Sequence, residues 1–245
     1  MKKIVILFIL FSCSSQVFSQ GKEFETREMT WFGYFNQTRF TNRSGLWVDL
    51  HLRMNDHFVN ELHATIVRAA YIYYPTDQCR LMAGYAYATQ YGHEDSPNVP
   101  EHRPWQQIQW FEHKNSFNMM QWIRLEQRFR RTVSAGELTE DYTFNFRARY
   151  NIALTIPLIG KKVKPTTPFI FINDEVFINF GKSITYNYFD QNRAFAGLGY
   201  QFTQHLNAQL GYMYIFQQLP QGNQYIQTHA IRLFVFHNLN FSTSN

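Results

Sequence analysis

Polar and apolar residues alternate one for one along much of this chain. Across Gln121–Arg130, Trp122, Arg124, Glu126, Arg128 and Arg130 share one side, and Ile123, Leu125, Gln127 and Phe129 share the other. Across Tyr142–Ile156, Thr143, Asn145, Arg147, Arg149 and Asn151 alternate with Phe144, Phe146, Ala148, Tyr150, Ile152 and Leu154. A period of two is the signature of a β-strand with one apolar and one charged face. The same rhythm in Leu46–Met54 puts Leu46, Val48, Leu50, Leu52 and Met54 opposite Trp47, Asp49, His51 and Arg53. Strands are expected near 29–40, 45–54, 61–74, 79–91, 103–112, 117–130, 142–156, 167–179, 192–202, 205–216 and 226–240. Most exceed the globular average of about 5–6 residues and match the ~9–11 that a tilted strand needs to cross a bilayer.

The connections between these strands point the same way. Segments near 217–225, 180–191, 131–141 and 92–102 read as long loops, and those near 203–204, 157–166, 113–116 and 75–78 as turns. Long loops at one end and short turns at the other are the pattern of an up-and-down membrane barrel. The eight prolines fall in connections or at strand starts, as ladder hydrogen bonding requires. Single-chain bacterial barrels have even strand numbers. Twelve strands are therefore expected, the twelfth near 181–190, with ten as the alternative.

Which face meets which solvent is decided by the cations. The lysines beyond the first twenty residues are Lys22, Lys114, Lys161, Lys162, Lys164 and Lys182, and none falls in an expected strand. Arginines do, among them Arg39, Arg53, Arg68, Arg80, Arg124, Arg128, Arg130, Arg147, Arg149, Arg193 and Arg232. A strand face bathed in water commonly carries lysine. An enclosed lumen favours arginine, whose planar fork pairs with carboxylates and stacks on rings. Placing arginine on a lipid face costs about 2–4 kcal/mol each at the midplane. The expected lumen lining is therefore Arg53, Arg124, Glu126, Arg128, Arg130, Arg147, Arg149, Glu175, Arg193 and Arg232, with Asp49 beside them. A hairpin register pairing Glu126 with Arg147 sets Arg124 opposite Arg149, although a one-step shift fits the pattern equally. Asp174 falls on the apolar parity of Ile170, Ile172, Val176 and Ile178, which calls for a bulge or a place near an interface.

Composition agrees with an exported barrel. Residues 1–19 read as a secretory signal, with Lys2 and Lys3 ahead of an apolar Ile4–Phe11 and Val17-Phe18-Ser19 as the cleavage site. Cys13 within Leu10-Phe11-Ser12-Cys13 offers lipid attachment as the alternative. Residues 20–245 then form one domain. Losing Lys2 and Lys3 from 23 basic residues leaves 21 against 18 acidic ones, a net charge of +3. That is too mild for a nucleic-acid partner, and no nucleic-acid motif accompanies it. Cys79 is the one cysteine left, so no internal disulfide framework forms. Aromatic residues make up 18% of the chain, which suits a lipid-facing wall and its interfacial girdles. No later apolar run reaches helix-spanning length.

Five runs, in this order, carry a family resemblance. They are Glu101-His102-Arg103-x-Trp105-Gln106-Gln107, Arg124-x-Glu126-x-Arg128, Arg147-x-Arg149, Asn173-Asp174-Glu175-x-Phe177, and Asp190-Gln191-Asn192-Arg193 with Gly197-x-Gly199-Tyr200. The chain resembles the "domain of unknown function 2490" family over most of its length. The resemblance implies an outer-membrane β-barrel of Gram-negative bacteria. It transfers no catalytic residue, because that family carries no established activity.

Chemistry beyond the lumen is thin. An outer-membrane lipid-modifying enzyme needs a nucleophile and a base on wall or rim, yet Ser44, Ser96, Ser116, Ser134, Ser183, Ser242 and Ser244 sit at strand ends, loops or the tail. His93-Glu94-Asp95 with Glu101-His102 is weighed as a metal site against a solvated loop, and the loop is preferred. Lys161, Lys162 and Lys164 read as a solvated turn. No cofactor, no metal and no catalytic residue is expected. The expected role is a narrow or plugged barrel with a structural or interaction function. A small-solute channel with anion preference is the alternative. Expected partners are outer-membrane lipid and lipopolysaccharide, and the barrel-assembly machinery during insertion, with no ligand identified.

Overall fold

The computed structural model describes residues 21–55, 57–93 and 96–242; the expected signal segment, with Cys13, lies outside them. The alternating runs form eleven strands: β1 (Glu23–Arg39), β2 (Ser44–Asn55), β3 (Glu61–Thr76), β4 (Cys79–Gln90), β5 (Val99–His113), β6 (Asn118–Ser134), β7 (Glu137–Pro157), β8 (Thr167–Phe180), β9 (Phe189–Gln201), β10 (Leu206–Gln218) and β11 (Gln224–Asn240). Each pairs antiparallel with its sequence neighbours, and the sheet closes on itself through β1 and β11.

That closure corrects the expected count of twelve, and equally the alternative of ten. Residues 181–188 are a connection, with no strand in them. An odd number of up-and-down strands leaves the first and last running in the same direction, so the seam must be parallel. It is: Glu23 pairs with Gln224, and the register advances in step to Arg39 with Asn240. Parallel hydrogen bonds are slanted yet complete, and the closed wall leaves no edge strand. The upper rim, where β1 begins, carries the connections after β2, β4, β6, β8 and β10. The lower rim carries the others and the end of β11.

Three expectations about connections change. The segment 131–141 is no loop: β6 and β7 run through it and meet at a two-residue turn, Ala135 and Gly136, with φ of 51° and 82°. Positive φ at both turn positions is the geometry that matches the twist of a hairpin. Alternation fades there because a hairpin standing clear of the wall has no apolar side to bury. Loop lengths, too, fail to separate the rims cleanly, since the lower-rim connection 158–166 is as long as any above. Finally, β5 begins at Val99, so Pro104 lies inside a strand. Pro104 has no N–H to give, and the β5–β6 ladder skips Arg103 and Pro104 between His102–Phe129 and Trp105–Glu126.

The two faces have opposite characters. Outward, large apolar side chains stand exposed, with Leu198 at 61%, Leu210 at 54%, Tyr71 at 56% and Leu52 at 48%. Inward, Asp49, Glu126, Asn179, Arg147 and Arg124 are buried together with Trp105, Phe177 and Phe195. Polar inside and apolar outside inverts the arrangement of a water-soluble β-protein. All six lysines beyond residue 20 lie outside the strands.

Glycines set the space inside. Gly211 and Gly197 face each other across β10 and β9. A Cβ on Gly211 would lie 2.3 Å from the Ala196 carbonyl oxygen and 2.8 Å from the Phe195 ring. The missing side chains thus make the room that Phe195, 2% exposed, fills. Gly211→Val is expected to lower the barrel's unfolding temperature, because overpacking costs about 1–3 kcal/mol. Heat-dependent gel mobility checks this, and an unchanged transition would mean the ring is not held there.

Candidate functional site: an arginine-lined lumen

The site is built on the hairpin of β6 and β7. Its register sets Glu126 opposite Arg147 and Arg124 opposite Arg149, one of the two arrangements the alternation allows. All four side chains project inward because each lies on the same parity of its strand. Arg147 donates from Nε at 2.8 Å and Nη2 at 2.5 Å to Oε2 of Glu126. Its Nη1 reaches Asp190 Oδ2 at 2.9 Å. Arg149 donates from Nη1 to Glu126 Oε1 at 2.6 Å and from Nε to Glu175 Oε1 at 2.6 Å. Arg124 stays 4.0 Å from Glu126 and gives its Nε to Gln107 Oε1 at 2.8 Å. A continuous chain of charge therefore runs Asp190–Arg147–Glu126–Arg149–Glu175. Charge-assisted bonds of this geometry are the strong ones, and a network whose members all find partners stiffens the wall that carries it.

Two smaller clusters extend it. Glu101 takes both Arg103, at 2.6 and 2.8 Å, and Arg128, at 2.5 and 3.0 Å. Arg103 and Arg128 are the residues where the β5–β6 ladder is missing its rungs. On the far wall Asp49 accepts from Arg68 at 2.8 and 3.0 Å, lies 2.9 Å from His51 and accepts from the Trp47 indole.

Aromatic rings hold the remaining cations. Phe177, fully buried, has the guanidiniums of Arg193, Arg149 and Arg147 at 4.3, 4.5 and 5.2 Å from its ring centre. Trp31 has Arg53 at 3.8 Å and Arg193 at 4.9 Å. Arg232 lies 3.3 Å from the Phe195 ring centre. Arg130 instead bonds Gln90 at 2.8 Å near the upper rim.

Together these groups surround a cavity of about 950 Å³. Its lining includes Arg27, Gln90 and Pro220 toward the upper rim and His113, Val163 and Asn238 toward the lower one. Arg53, Arg124, Arg128, Arg130, Arg147, Arg149, Glu175, Arg193 and Arg232 all border it, whereas Glu126 lies behind the guanidiniums it binds. The charges gather in the half nearer the upper rim. Phe111, Met120, Phe169 and Phe236 line the other half.

Sequence reasoning missed Glu101, Arg103 and Asp190 as lumen groups. The first two were reachable, since the alternation of Trp105, Gln107 and Gln109 continues backward through them. Asp190 was not, because it is set by a bulge: Phe177 pairs with Gln191, but Ile178 with Phe189. The extra residue turns Asp190 inward beside Gln191, both buried. That bulge does not reach Asp174, which remains on the outer parity, where Asn192 Nδ2 donates to both carboxylate oxygens at 3.0 and 3.1 Å. Among the described residues the weighed metal set does not come together: Glu101 points into the lumen and His102 bonds Tyr85 on the outside. Glu94 and Asp95 lie outside the described residues, and His93 approaches Glu61 at 3.1 Å.

A search of curated proteins and of solved structures finds no match to the chain. A family model does match, over residues 28–226, from the middle of β1 into β11. It spans every strand that contributes to the charge network, and the chain belongs to the family described as "Protein of unknown function (DUF2490)".

Proposed function

We propose that this protein is an exported outer-membrane β-barrel whose lumen is a narrow, cationic passage for small anionic solutes. The observation that carries the reading is the cavity of about 950 Å³ bordered by residues near both rims, within a wall whose inward charges are mainly arginine. Cationic linings favour anions by lowering their entry barrier. The membrane part rests on the exposed apolar side chains of the outer wall, Leu198, Leu210, Tyr71 and Leu52 among them, since contiguous exposed apolar surface marks contact with a membrane or partner. It rests also on strands of 12–21 residues, long enough to cross hydrocarbon. Lipid and lipopolysaccharide then cover the belt, and the barrel-assembly machinery inserts it after the leader is cleaved. A second reading, a barrel closed by its own side chains, draws on the chain of ion pairs from Asp190 to Glu175.

Planar-bilayer recordings separate the two. Pure protein under a potassium chloride gradient is expected to give small steps with a reversal potential on the chloride side. Silent insertion would favour the closed barrel. A polypeptide that stays monomeric in buffer without detergent would remove both.

A further inference from the structure

We propose that the barrel seam carries a binding site for a small oxyanion, a carboxylate or phosphate, formed by Arg53, Arg232 and Arg193 around Trp31. Register puts the first two there: Trp31 pairs with Arg53 on one side and with Arg232 on the other. The same row continues through Gly211 and Gly197, over which the Phe195 ring lies with Arg232 against it. Arg53 and Arg232 stand one strand to either side of β1, two spacings of about 4.7–4.9 Å apart at the backbone. The Phe195 ring carries the Arg232 guanidinium and the Trp31 indole that of Arg53, so an oxyanion held between them faces both. Arg193 comes to the same ring from β9, at 4.9 Å.

What marks the place as a site is its unbalanced charge. Every lumen carboxylate described above already holds at least one guanidinium or, for Asp49, both Arg68 and His51. Among the described residues, none of the ion pairs involves Arg53, Arg193 or Arg232. Arg232 is only 7% exposed, and its neutral partners are Asn173 at 3.2 Å and Gln209 at 3.5 Å. The buried Nε atoms of Arg232 and Arg53 have no acceptor among the described residues. Buried donors left without acceptors are costly and uncommon. A ring against a guanidinium covers its face and leaves the in-plane N–H edge free, the edge that grips carboxylate and phosphate with two parallel bonds. A halide cannot use that fork. The inference narrows the passage reading to a solute class, and it rests on that reading only for how the anion arrives.

The test is calorimetric titration of the detergent-purified full barrel with inorganic phosphate and, separately, with benzoate, ionic strength being held by chloride. Saturable one-site binding of at least one probe is expected. Arg53→Gln and Arg232→Gln should each weaken it on the order of tenfold or more, while Lys161→Gln should leave it unchanged. Circular dichroism and heat-dependent gel mobility establish that each variant is folded, and Arg53→Gln carries the test if Arg232→Gln does not fold. No saturable binding of either probe to the parent protein overturns the site, as does parent-like affinity in a folded Arg53→Gln barrel. Conductance is recorded independently, so chloride-selective steps without phosphate or benzoate binding would sink the site and spare the passage.

Discussion

Glu126→Gln is expected to destabilise the barrel more than any other single change at a carboxylate. Glu126, 2% exposed, is the node at which Arg147 and Arg149 meet, with Arg124 at 4.0 Å. Glutamine keeps the shape but removes the charge that balances two buried guanidiniums. Each keeps a single acid, Asp190 for Arg147 and Glu175 for Arg149. Breaking a buried pair from one side typically costs about 3–5 kcal/mol, because the surviving charge cannot recover its hydration. The temperature at which the barrel loses its compact gel mobility should fall accordingly. Glu140→Gln, on the projecting hairpin with a side chain 98% exposed, should not move it. Removing Arg147 as well should recover part of the loss, since the double variant no longer buries the cation. If Glu126→Gln melts with the parent, the lumen is wet enough to screen its charges, and the network contributes little stiffness.

A cysteine at Phe32 and another at Leu233, in a Cys79→Ser background, are expected to cross-link almost completely under mild oxidation. The two residues are register partners across the β1–β11 seam and both face outward. Paired strands hold such Cα atoms about 4.7–4.9 Å apart, inside the range of roughly 4.4–6.8 Å that a disulfide accepts. The neighbouring combinations Thr30→Cys with Ile231→Cys and Tyr34→Cys with Val235→Cys should cross-link as well, because a parallel register advances on both strands together. An antiparallel seam allows only one of the three. Failure of all three would remove β1 from the wall and restore an even barrel of ten. Success carries a topological consequence: the wall begins at one rim and ends at the other. In a membrane, tags before Glu23 and after Phe241 would then be labelled from opposite sides.

The parity of most strands was legible in the residue order alone, because a side chain's face follows directly from its place in a two-residue repeat. Leu46–Met54 and Gln121–Arg130 show this without ambiguity. Strand boundaries were less secure wherever that repeat loses its driving force. The tip of the β6–β7 hairpin alternates weakly because water lies on both its sides. The start of β5 was hidden because Pro104 reads as a terminus in isolation, whereas here the wall tolerates two missing rungs. Which carboxylate would hold which arginine was not legible at all. Glu126 could be set opposite Arg147 or shifted one step, and Asp190 faces the lumen only through a bulge that no local pattern announces.

By itself, then, the order of residues determined a long-stranded β-protein with its guanidinium groups on one face and its hydrocarbon on the other, since both properties depend on neighbours two positions apart. The number of strands and the direction of the seam were decided only in three dimensions. Closure is a property of the whole ring: whether Glu23 meets Gln224 depends on the accumulated tilt and stagger of every strand between them. So is the place where charge goes unmatched, because Arg53 and Arg232 lie far apart along the chain and become neighbours of one indole only when the sheet closes.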